Sequence, residues 1–228
     1  MTLIDFALVW QHKLFLLKGA VVTIQLTCGA VVIGILLGCL AGMGRVSRNR
    51  LLRAISGVYV YVLRGTPMLL QIFFIYFGVP QIYLAITGSP LMPSAMKAGI
   101  IALGINSGAY VAEIVRAGIQ AVPKGQMEAA RSLGMPHARA MKDVILPQAF
   151  RKVIPPLCNE FIVLLKDSSL VSVIGAGERM YSAKVMGARY YDYVQFLFGA
   201  GLVYLALTFV ISQALAALER KLGVSEQS

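Results

Sequence analysis

Three carboxylates fall inside long apolar stretches of this chain: Glu113, Glu160 and Asp167. Holding a carboxylate in hydrocarbon costs on the order of several kcal/mol, so such groups face a bundle interior or a wet cavity. Glu160 and Asp167 are seven residues apart. On a helix that is two turns, which brings them within roughly 20° of one another on one face. Asn159 and Lys166 form the neighbouring stripe. Two carboxylates on one face suit the ammonium or guanidinium group of a passing solute. The competing reading places Glu160 at a helix end near Arg151 or Lys152 and pairs Asp167 with a cation of another helix. Glu113 and Arg116 are three residues apart, a spacing that pairs them on a single helix, and a structural role is preferred for both.

The elements that must carry these groups are membrane spans. The chain is 58% hydrophobic and only 14% charged over 228 residues, with mean hydropathy +0.74. A soluble domain of that length needs a more charged surface. Apolar length sufficient to cross a bilayer, about 20 residues, predicts five spans, near 19–43, 55–80, 95–117, 154–175 and 194–217. The second is interrupted by Arg64 and Pro67. Gly34, Gly38 and Gly42 recur every four residues in the first span, as do Gly104 and Gly108 in the third, a spacing that lets helices approach closely. Cys28, Cys39 and Cys158 lie in or beside apolar segments without metal-type spacing and are expected to be buried thiols. The first apolar block is longer than a signal-peptide core and is read as a retained span.

Lysine and arginine set the expected orientation. Arg45, Arg48, Arg50 and Arg53, six residues of the central loop (Lys124, Arg131, Arg139, Lys142, Arg151, Lys152) and Arg220 with Lys221 share one side; Lys13, Lys18, Lys97, Arg179, Lys184 and Arg189 fall on the other. The richer side is expected to be cytoplasmic, which puts the N-terminus outside and the C-terminus inside. The net charge of +11 is thereby divided among loops separated by membrane, which argues against a nucleic-acid surface.

The central loop, 119–150, carries a second constellation: Glu128-Ala129-Ala130, Gly134, Val144, Leu146 and Pro147. Two short helices are predicted, one from about Pro123 to Leu133 stopped at Gly134, the next opened by Pro136 and discouraged from continuing by Pro147. Ala129 and Ala130 would let another surface approach the backbone, with Glu128 as an anion at the contact. An ordinary loop with a helical hairpin would share that spacing.

Glu-Ala-Ala, three residues, Gly, nine residues, an aliphatic residue, one more and Leu-Pro resembles the signature loop of ATP-binding cassette importer permeases, with Val144 where the family usually has isoleucine. Arg64-Gly65-Thr66-Pro67 with Gln71, the run Asn106-Ser107-Gly108-Ala109-Tyr110-Val111-Ala112-Glu113, and Lys166-Asp167-Ser168-Ser169-Leu170 look like its polar amino acid branch, the histidine, glutamine and arginine type. The resemblance spans roughly residues 15 to 222. It implies an all-α polytopic inner-membrane bundle of about five transmembrane helices with a cytoplasmic coupling loop, one permease domain over 1–228. It further implies that the fourth span lines the pathway, with Glu160 after Asn159 accompanying amino acid binding and Ser168 and Ser169 adding hydroxyl contacts, although both serines are compatible with back-bonding to helix carbonyls. Arg64 with Pro67 is expected to hold the broken second span; Gln71 faces either the pathway or a neighbouring helix. Glu128, Ala129, Ala130, Gly134, Leu146 and Pro147 are the expected ATPase contacts.

No Gly-x-x-x-x-Gly-Lys-Ser/Thr loop, metal cluster or nucleophile arrangement occurs in the sequence. The chain is therefore expected not to be an enzyme and to hold no cofactor, with ATP and Mg used by separate cytoplasmic ATPase subunits. Five spans are few for a pathway, so a second permease copy or a paralogue is expected, together with an external amino acid binding protein, either periplasmic or lipid-anchored, and surrounding lipid. The expected solute is a polar L-amino acid, basic or glutamine. The alternative is an ion-coupled secondary transporter of small polar solutes, which usually has more spans and internal repeats.

Overall fold

The computed structural model describes residues 10–223. The remaining residues at either end of the expected 1–228 domain lie outside the described residues. The described backbone is helical, without strands. Helix α1 is Lys13–Val46, α2 Arg50–Arg64 and α3 Met68–Phe73, which passes through a π turn, Phe74–Gly78, into α4, Val79–Thr87. Then follow α5 (Ala95–Gln120), α6 (Lys124–Ser132) and α7 (His137–Ala140), the last leading through a second π turn, Met141–Ile145, into α8 (Leu146–Asp167). A 3-10 segment, Ser168–Ile174, precedes α9 (Arg179–Tyr190) and α10 (Tyr193–Lys221).

Among the described residues, four stretches are long and apolar enough to cross a membrane: Leu17–Val46, Met68–Thr87, Ala95–Gln120 and Tyr193–Lys221. Helix α8 is not one of them, because Arg151, Lys152, Glu160, Lys166 and Asp167 charge it heavily; it packs instead against α5, α1 and α10. The segment expected as a single span at 55–80 is divided. Pro67 has no N–H and disfavours helical geometry at Thr66, so α2 closes with Gly65 N–H on Tyr61 O at 2.9 Å and a new helix starts at Met68.

Helices α1 and α5 form the spine and run parallel. An added Cβ at Gly34 would meet Ser107, at Gly38 Val111 at 2.4 Å, at Gly42 Val115, and at Gly104 Ile33. The four-residue glycine spacing therefore serves packing within one chain. Around the Leu26–Ala30 part of this seam Leu26, Ala30, Ile72, Ala102, Leu103 and Val171 make the main apolar core. Helix α2 runs back along α1 only as far as the middle of α5, where Tyr59 Oη donates to Ile105 O at 2.6 Å.

Both π turns end two residues before a proline, Pro80 and Pro147. Val79 N–H bonds Phe74 O and Leu146 N–H bonds Met141 O, a five-residue step in each case. That wider turn rearranges the ladder where proline supplies no donor. Pro147 thus sits inside a continuous run, a correction to the expected stop after the second short helix.

The Arg45–Arg53 turn and the central loop occupy the same end of the bundle: Arg45 Nη2 is 3.7 Å from Glu113, and Val46 and Ser47 share a groove with Gln120, Val122 and Pro123. At the opposite end the His12 ring and Tyr190 Oη are 2.9 Å apart. There Glu178 caps α9, accepting from Met180 N–H at 2.8 Å and Tyr181 N–H at 2.7 Å.

Candidate solute cavity and docking loop

Glu160 is brought to α5 by the packing of α8, and Ser107 Oγ donates to its Oε1 at 2.8 Å. Beside it lies an open cavity of about 470 Å³, walled by Arg64, Tyr110, Glu113, Lys152, Asn159 and Glu160 among others. Tyr110 supports Arg64, whose guanidinium carbon is 5.1 Å from the ring centroid, a distance at which cation–π attraction operates. Glu113 is already matched: Arg116 Nε donates to its Oε2 at 3.0 Å, and Arg45 approaches from α1. Among the described residues no cation lies within ion-pairing distance of Glu160, and no carboxylate within that distance of Arg64. Among the described residues the cavity therefore presents one carboxylate, Glu160, and two cations, Arg64 and Lys152, that form no ion pair.

The other residues expected at a solute site are placed differently. Asn159 joins Glu160 in the cavity wall. Asp167 ends α8 and is not part of that wall. Ser168 is fully buried and donates to Leu165 O at 2.7 Å, the back-bonding alternative; Ser169 follows it in the 3-10 turn, half-buried. Gln71 is occupied by the protein itself. Its Nε2 donates to Leu63 O at 2.8 Å, Thr66 O at 3.1 Å and Thr66 Oγ1 at 2.9 Å, while its Oε1 accepts from Asn106 Nδ2 at 2.9 Å. Gln71 and Asn106 thus stitch the break between α2 and α3, and Arg64, expected to do so, turns into the cavity instead. Ser107 and Tyr110 were missed as individual site residues, although spacings of three and four from Ser107 through Tyr110 to Ile114 mark one face of α5.

In the central loop, α6 ends as the glycine requires. Gly134 has φ of +84, and Met135 N–H reaches back to Ala130 O at 3.1 Å with Gly134 N–H on Arg131 O at 3.0 Å, a paired closure typical of a left-handed helix stop. Glu128 and Ala129 are exposed, and Leu133 is 84% exposed. Ala130, by contrast, is covered by its own chain, so only Ala129 of the pair faces outward. Leu146 is half-buried and Pro147 exposed. Val122, Ile145 and Ala149, with Met127, Met141 and Val144 around them, glue α6 to the start of α8. Gln148 Nε2 adds a bond to Gln126 Oε1 at 3.3 Å. Helix α6 is thereby packed directly onto the start of the helix that carries Glu160.

A bundle of apolar helices, a cavity whose wall carries Arg64, Lys152 and Glu160, and a helical loop packed on one end fit a membrane-embedded transporter subunit. Residues 34–224 match the family model described as the binding-protein-dependent transport system inner membrane component, and the chain belongs to that family. It is 40% identical, over 96% of its length and 97% of the relative's, to the arginine transport system permease protein ArtQ of Bacillus subtilis. It is 39% identical, over 93% and 94%, to a permease protein named for glutamine transport in Rickettsia felis, and 41% identical, over 97% and 92%, to the L-cystine transport system permease protein TcyB of Bacillus subtilis. Its fold matches a solved amino acid ABC transporter, crystallised with histidines, at TM-score 0.88 and 42% identity, covering 97% of this chain and all of that one. The chain is an inner-membrane, multi-pass permease of the amino acid ABC importer type, a family of membrane components rather than of catalytic subunits.

Proposed function

We propose that this chain, as a single permease domain over 1–228, translocates a polar L-amino acid, basic or glutamine, delivered by an external binding protein. The observation that supports the solute assignment is Glu160, a carboxylate held by Ser107 in a cavity wall and with no cation within ion-pairing distance among the described residues. It would receive the amino acid's ammonium or a basic side chain, with Asn159 beside it. Helix α8 serves as the fourth of the five expected spans, its charges facing the pathway rather than lipid. A second permease copy or a paralogue completes the pore. The arginine-rich end faces the cytoplasm, with the N-terminus outside and the C-terminus inside. There Glu128, Ala129 and Leu133 of α6 dock in a groove of an ATPase subunit that uses ATP and Mg, with Gly134 fixing the angle to the following helix and Leu146 and Pro147 at the base of the lever. This chain itself holds no cofactor in that scheme.

The test is substrate-stimulated ATP hydrolysis by the assembled transporter carrying Glu160→Ala. Truncating a partner of a desolvated charge pair costs about 2–5 kcal/mol, so stimulation by L-arginine or L-glutamine should require at least about tenfold more amino acid. An unchanged substrate dependence removes Glu160 from the site.

A further inference from the structure

The cavity beside Glu160 continues toward the arginine-rich end of the bundle. It shares Arg64 and Glu113 with a second space of about 390 Å³. That space in turn shares Arg45, Gly57 and Tyr61 with a third, of about 570 Å³, which ends at Arg50 and Arg53. One face of α2 floors the whole length: Arg50, Ala54, Gly57, Tyr61 and Arg64 fall within about 40° of a single line along the helix, with Arg53 at its edge. Midway, the Arg45 guanidinium lies over Gly57, where an added Cβ would stand 3.1 Å from Nη1. From Arg64 to Arg50 the rise is about 21 Å. Among the described residues the only acidic one along the last two spaces is Glu113, which Arg116 pairs, with Arg45 nearby at 3.7 Å.

Every free amino acid carries a carboxylate as well as an ammonium, and Glu160 can serve only the cationic end. From this juxtaposition we infer that the arginine face of α2 is the carboxylate-guiding release track of the transporter: Arg64 receives the solute's α-carboxylate opposite Glu160, and Arg45 and then Arg50 and Arg53 hand it toward the cytoplasm. A guanidinium fork matches a carboxylate with two parallel N–H bonds, and Tyr110 under Arg64 keeps that fork oriented while vacant. Stations open to water hold an anion weakly, so the solute passes between them without being trapped. The inference rests on the amino acid importer reading above and adds the residues that recognise the second charged group.

The test measures binding of L-arginine, L-glutamine and the α-amide of each to the purified permease–ATPase complex, without binding protein, followed by uptake into vesicles with it. Arg64→Gln should weaken binding of the amino acid by about tenfold or more while leaving that of its amide within about twofold; Arg64→Lys should retain most of the preference for the acid. Replacing Arg50 and Arg53 together by Gln should leave binding intact and slow uptake, equally in vesicles with and without phosphatidylglycerol. Equal weakening of acid and amide, or of neither, overturns the role of Arg64. An uptake defect that disappears without phosphatidylglycerol overturns the track, since Arg50 and Arg53 would then be lipid anchors. Wild-type complex that binds neither amino acid refutes the basic-or-glutamine solute assignment on which the inference rests, a result distinct from silent variants beside a working wild type.

Discussion

Glu160 could be found in the sequence because a carboxylate in an apolar run is costly and needs a reason. Its surroundings could not be read so directly. Seven-residue spacing placed Asp167 on the same helix face, yet α8 gives way to a 3-10 turn at that point and the cavity lies lower, toward Lys152 and Arg64. The roles of Arg64 and Gln71 depend on how the chain turns at Gly65–Pro67, which spacing does not determine. Gln71→Ala would leave Leu63 O, Thr66 and Asn106 short of hydrogen bonds. Each buried group left unsatisfied costs about 1–3 kcal/mol, so the variant should lower the thermal unfolding midpoint of the purified complex while leaving its affinity for amino acid nearly unchanged. The reverse pattern, normal stability with altered affinity, would restore Gln71 as a solute contact. Ser107→Ala removes one donor to Glu160 and should weaken amino acid binding less than Glu160→Ala does, by about fivefold on the value of a single hydrogen bond.

The glycine spacings in α1 and α5 were legible as close-approach signals, but not their destination, since the same spacing suits a dimer seam. They meet one another. Gly38→Leu would drive its side chain into Val111. Overpacking of this kind costs about 1–3 kcal/mol, so the variant should reach the membrane in reduced yield and unfold at lower temperature, with Val111→Ala partly restoring it. The first short helix of the loop and its glycine stop were also readable, because proline entry and left-handed exit are local properties. The π turn before Pro147 was not, since it is a relation between neighbouring turns rather than a property of the proline alone. For α6 the expected outcome of Glu128→Lys is normal membrane insertion with loss of ATPase co-purification and of transport. Normal ATPase association in detergent would count against docking at this face.

Across the molecule, hydropathy pointed to a multi-pass membrane protein and the family resemblance to an all-α one, and the structure gathers the arginine-rich turn and the central loop at one end, the grouping that the charge count used. Hydropathy did not resolve the amphipathic α2 from the apolar helix after it, and the span expected at 154–175 proved to be the second half of the longer, more charged α8 and the 3-10 turn after it. The solute's identity is the least legible property: relatives named for arginine, glutamine and cystine transport are equally similar to this chain within two percentage points, as expected if a few side chains around one cavity, and a separate binding protein, set selectivity. The central claim is an importer whose energy enters from outside this chain through α6. It is tested most directly by uptake of radiolabelled L-arginine and L-glutamine into vesicles containing the permease, its ATPase partner and external binding protein, with ATP enclosed. Uptake of at least one amino acid that stops without ATP or without the ATPase is the predicted result; uptake by the permease alone, driven by a proton or sodium gradient, would contradict it.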